Sequence, residues 1–101
     1  MVFNIMAESK KSIDYDKLYI RVFKEHLMIE FIPMPNLGLD GGDAIGICVP
    51  QKNINENTWK ELKTILKILK SEFSLDVYDL YGGQKLGLFN INDFKRNFLG
   101  V

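Results

Sequence analysis

Cysteine and histidine are almost missing: the 101-residue chain holds one of each, Cys48 and His26. A single thiol cannot close an internal disulfide, and one Cys with one His falls short of a zinc ligand set. Nucleophilic catalysis needs a base beside its nucleophile. His26 is expected at an exposed turn and Cys48 in the core, so the two would not meet. Long apolar runs are missing too, and no stretch reaches the roughly 18 to 20 residues of a membrane span. Residues 1–8 lack the basic start and long apolar segment of a secretory signal. There is no excess of either charge, because thirteen Lys and Arg balance thirteen Asp and Glu. The whole molecule therefore has no long-range pull toward nucleic acid or anionic lipid. A cytoplasmic protein with no cofactor, no metal and no membrane association is the expectation.

What is present suffices for one core. At 101 residues, 47% hydrophobic and 12% aromatic, the chain can bury a single core but not two. Residues 1–16 turn polar after Met6 and read as a loosely ordered N-terminal arm, with room for a short strand over Val2–Met6. The domain proper is expected over 17–101.

Leu18, Ile20 and Val22 alternate with Tyr19, Arg21 and Phe23, and Leu27, Ile29 and Phe31 alternate with Met28, Glu30 and Ile32. This period of two predicts a pair of strands turning at Lys24–His26, with Pro33 and Pro35 ending the second. Ala44–Val49 reads as a buried strand. Thr58 and Glu61 have capping-box spacing, and Trp59, Leu62, Ile65, Leu66, Leu69 and Phe73 share one helical face, which predicts an amphipathic helix over 58–73. Leu75–Tyr81 and Lys85–Phe89, joined by Gly82-Gly83-Gln84, predict a hairpin, with a helix over 75–81 as the alternative. A short helix follows over Asp93–Leu99, started by Asn92 and stopped by Gly100. The expected fold is α+β: a mainly antiparallel sheet with one long amphipathic helix on one face and a short C-terminal helix, in the order β-β-β-α-β-β-α.

Composition departs from the ordinary in one place. From Glu25 to Gln51 there are four carboxylates, Glu25, Glu30, Asp40 and Asp43, and no Lys or Arg. At the centre lies Asn36-Leu37-Gly38-Leu39-Asp40-Gly41-Gly42-Asp43, an apparently mobile acidic loop. A strand follows it rather than a helix, so it lacks the helix N-terminus that holds a phosphate. Its oxygen ligands are too few and wrongly ordered for calcium. Gly41-Gly42-Asp43 is similar to the start of the diguanylate cyclase signature. Ala44-Ile45 then replace the acidic and aromatic residues that should follow, and the chain is too short, so that resemblance is discarded.

Three functional classes remain. The leading one is a non-enzymatic protein-binding module that meets a partner with a basic surface through Glu30, Asp40 and Asp43. Its most specific form is a stoichiometric inhibitor or immunity-type protein masking a basic active site. The second is a nucleic-acid-binding accessory protein using the helix stripe Lys60, Lys63, Lys67 and Lys70. The third is a small-ligand binder or enzyme with a pocket near Tyr78, Asp79 and Tyr81. An unpaired edge strand over 18–23 would also admit a homodimer.

Overall fold

In the computed structural model, which describes residues 2–80, 83–87 and 90–100, the first element is a full strand, β1 (Val2–Glu8). Phe3, Ile5 and Ala7 alternate onto one face and are buried. β1 pairs antiparallel on both sides, with β3 (Ala44–Pro50) and with β4 (Asp76–Asp79). It is the middle strand of a five-stranded sheet in the order β2-β3-β1-β4-β5, where β2 is Glu30–Met34 and β5 is Gln84–Lys85. The expected arm over 1–16 is corrected accordingly: residues 2–8 are the heart of the sheet. The strand allowed over Val2–Met6 is present and runs on to Glu8, and its central place in the sheet had no local signal.

The second correction falls on 18–23. Asp14 caps a helix by accepting the Lys17 N–H at 3.1 Å, and this helix, α1 (Tyr15–Leu18), continues as a π-helical turn over Tyr19–Phe23. The π turn closes where the Lys24 N–H reaches the Tyr19 carbonyl five residues back at 3.0 Å. Leu18, Val22 and Phe23 are buried whereas Ile20 is 64% exposed. Burial therefore follows helical spacing, and the alternation that suggested a strand is accidental. With no strand over 18–23, the edge expected to support a homodimer is not there.

β2 starts three residues later than the expected strand and includes Pro33. Proline is tolerated because β2 lies at the sheet edge. In β3, Ile45, Ile47 and Val49 are buried and Gly46, Cys48 and Pro50 half-buried. Cys48, expected in the core, thus points from the opposite face.

The long helix α2 spans Glu56–Phe73. Asn55, three residues before Thr58, is its cap: Asn55 Oδ1 accepts from the Thr58 N–H at 2.9 Å and from the Thr58 hydroxyl at 3.2 Å. The helix ends at Ser74, whose φ of 54° is left-handed, with the Leu75 N–H bonded to the Leu69 carbonyl at 3.1 Å. Trp59, Leu62, Ile65, Leu66 and Leu69 are buried as the periodicity predicts. The hairpin is present as β4 and β5, with Tyr78 opposite Lys85 and Asp79 opposite Gln84; Tyr81, Gly82, Leu88 and Phe89 lie outside the described residues. The final helix, α3 (Ile91–Leu99), begins before Asn92 and ends at Gly100, φ 75°. The Asn90 side chain accepts the Gly87 N–H and donates to the Lys85 carbonyl, and so pins the connection to the sheet.

The helices lie on one face of the sheet. Phe98 of α3 meets Phe3 edge-on at 5.2 Å and Trp59 of α2 at 5.7 Å, while Phe23 stacks on Phe31 at 4.8 Å. The class is α+β as expected: an antiparallel sheet, one long helix across it and a short C-terminal helix.

Candidate functional site

The acidic loop is braced. Gly42 is in place because a Cβ there would stand 2.2 Å from the Ser9 carbonyl oxygen, and at Gly38 it would stand 2.2 Å from the Asp43 carbonyl oxygen. Across this close approach, the Ser9 N–H donates to the Asp43 carbonyl, the Leu39 N–H to the Ser9 carbonyl and the Asp43 N–H to the Lys11 carbonyl. The Asp43 carboxylate accepts the Ile13 N–H at 2.8 Å and the Asn36 N–H at 2.9 Å. These two donors hold its pKa below the ordinary carboxylate value. Burial, and then the charge of Asp43, push up the nearby Tyr15 phenol, which donates to the Ala44 carbonyl at 2.9 Å. Asp43 is thus a structural acid of the loop, whereas Asp40, exposed at a left-handed φ of 49°, stays on the surface.

Glu30 lies elsewhere. It pairs with Cys48, while the strand end next to Asp43 pairs with Met34. Four residues of strand separate the two positions by about 13 Å. Burial, followed by the charge and hydrogen bond of Glu30, raises the Cys48 thiol. The three acids expected to form one surface are therefore divided between a sheet face and a loop.

Glu30 belongs to a surface that composition did not reveal, the sheet face without helices. Register aligns Ile32, Gly46, Met6 and Tyr78 in one row across β2, β3, β1 and β4. Ile32 Cβ and Met34 Sδ lie 3.6 and 3.4 Å from where a Gly46 Cβ would stand, which puts both side chains on this face. Ile32 is 51% exposed; Met6, Met34, Cys48 and Tyr78 are half-buried. In the next row on this face, Glu8 stands opposite Asp76 in the register, a like-charge pair that Lys85 approaches at 3.4 Å from Asp76. Such a pair is unfavourable unless a cation joins it.

The third surface is the lysine stripe. Lys60, Lys63 and Lys67 make no side-chain ion pair or hydrogen bond among the described residues, and Lys70 Nζ donates to the Leu86 carbonyl at 3.3 Å. Between α2 and Leu86, Gly87 and Ile91 runs a groove of about 570 Å³, lined on the helix side by Lys63, Leu66, Lys67 and Lys70. Its signal in the sequence was the stripe lying beside Leu66; the opposite wall, from beyond the hairpin, had none.

Tyr78 and Asp79, expected to share a pocket, lie on opposite faces of the sheet. Strand alternation sends Tyr78 to the open face and Asp79 to the helix face, where Asp79 is fully buried and accepts from Asn97 Nδ2 at 2.8 Å. The third member, Tyr81, is outside the described residues. His26 Nδ1 lies 3.0 Å from Glu61 Oε1, tying the turn after α1 to α2. Among the described residues, no group of three His, Cys, Asp or Glu could hold a metal, and no helix is long and apolar enough to cross a membrane. No protein-family model, no curated protein and no solved structure matches the chain.

Proposed function

We propose that this chain is a non-enzymatic protein-binding module that docks a partner on the open face of its sheet. The row Ile32–Gly46–Met6–Tyr78 carries the proposal, because it sets the side chains of Ile32, Met6 and Tyr78 around a glycine floor across four strands, with no helix over them among the described residues. Glu30 in the row on one side and the Glu8–Asp76 pair in the row on the other give that face its sign. A partner with an apolar patch edged by Lys or Arg fills the face and adds to the compensation that Lys85 gives Asp76. The most specific form of this reading is a stoichiometric inhibitor covering the basic active site of another protein in a reducing cytoplasm, where a lone thiol on the face stays reduced.

Affinity capture from the native host, followed by mass spectrometry, tests it. Wild type should recover a partner in one-to-one amount, and the double variant Glu30→Lys with Ile32→Asp should lose it. Equal recovery by both forms would remove the sheet face from the mechanism. A nucleic-acid-binding role for Lys60, Lys63, Lys67 and Lys70 is the second reading, favoured by three lysines on one helix stripe whose side chains have no partner among the described residues. Retention of oligonucleotide that falls steeply with salt supports it.

A further inference from the structure

The groove on the helical side of the molecule points to a ligand of its own. Its floor is aliphatic, from Leu66, Leu86 and Ile91, and one wall carries the ammonium groups of Lys63, Lys67 and Lys70. Leu66 is 1% and Leu86 5% exposed, so the floor is continuous with the core rather than a loose surface patch. Of the three lysines, only Lys70 has a partner among the described residues, a backbone carbonyl at 3.3 Å, which leaves its charge uncompensated as well. Residues 63 and 70 are separated by about 10 Å along the helix axis. The volume of about 570 Å³ falls within the range of small-molecule sites, about 300 to 1,000 Å³.

We infer that this groove binds a small anionic amphiphile, a carboxylate bearing an aliphatic chain, with the chain on Leu66, Leu86 and Ile91 and the carboxylate among the lysines. Burial of the chain supplies the favourable free energy and the ammonium groups set the sign of the head. A nucleobase fits less well, because stacking platforms are aromatic and the apolar side chains lining this groove among the described residues are aliphatic. A docked protein helix would present anchors over several turns, whereas the floor offers three side chains. The site is independent of the sheet face, which lies on the other side of the β-sheet.

The test is titration of the full chain with decanoate, followed by amide NMR and calorimetry. Decyltrimethylammonium and acetate serve as controls for the charge of the head and for the chain. Decanoate should bind saturably with shifts at residues 63–70 and 86–91, and acetate and the cationic chain should bind at least tenfold more weakly. The pair Lys63→Glu with Lys67→Glu should weaken decanoate tenfold or more while the fold, read by circular dichroism, is retained. Ile91→Asp should do the same through the floor. Equal binding of the two decyl amphiphiles, or decanoate binding unchanged in both variants, overturns the inference. So does a single-stranded oligonucleotide that shifts the same residues when decanoate does not.

Discussion

The two charged regions of this molecule treat charge in opposite ways. In the acidic segment, Asp43 is committed to the backbone, where the Ile13 and Asn36 N–H groups surround its carboxylate. On α2, Lys60, Lys63, Lys67 and Lys70 follow one another at spacings of three and four, so each repels the next and none of the first three gains a partner among the described residues. The anomaly that stands out in composition stabilises the fold. The arrangement that looks ordinary costs helix stability, and a feature held at a cost is the better sign of a binding surface.

The contrast can be broken at its strongest point first. Gly42→Ala would place a methyl 2.2 Å from the Ser9 oxygen and 2.5 Å from the Lys10 carbonyl carbon. It should cost about 3 kcal/mol in urea unfolding; an unchanged midpoint would show that the loop is not braced. Asp43→Asn is the next test. Since the folded state holds this carboxyl below its ordinary pKa, its contribution is present above about pH 4 and is lost as pH falls through the folded value. Wild type should therefore lose stability on acidification more steeply than Asp43→Asn, as followed by thermal unfolding between pH 6 and pH 2. On the other side, Lys63→Glu with Lys67→Glu turns two repulsive neighbours, with Lys60 and Lys70, into attractive ones. A gain of about 0.5 kcal/mol is expected, and a loss would mean that the lysines support the fold after all. Asp40→Asn should be the smallest change, below about 0.5 kcal/mol, because Asn also tolerates the left-handed backbone at φ 49°.

Which parts could be read in advance follows from how local their causes are. α2 was legible because its apolar face repeats over five turns, and α3 because Phe94 and Phe98 sit four apart before Gly100. Residues 18–23 were not, since six residues can satisfy a period of two and a helical face at once, and only the packing of Phe23 on Phe31 decides between them. The cap of α2 was misplaced for a similar reason: Asn55 and Thr58 are both good cap residues, and the helix starts at the earlier one. Among the expected site residues, Glu30 and the lysine stripe are on the surface, whereas Asp43 is drawn into the loop by hydrogen bonds from Ile13, thirty residues away. The open-face row needs the register of four strands, which no single segment contains.

The place of β1 at the centre of the sheet governs how the molecule comes into being. It precedes both of its neighbours in the chain, and Ile5 pairs with Ile47 on one side and with Asp79 on the other. A nascent chain therefore carries this apolar strand without β3 until residue 50 has been made and without β4 until residue 79 has. Contacts of such long reach are slow to form and leave strand edges unpaired in the meantime. Production of this protein is thus most vulnerable to aggregation before β4 emerges, and conditions that slow translation between β3 and β4 should lower its soluble yield.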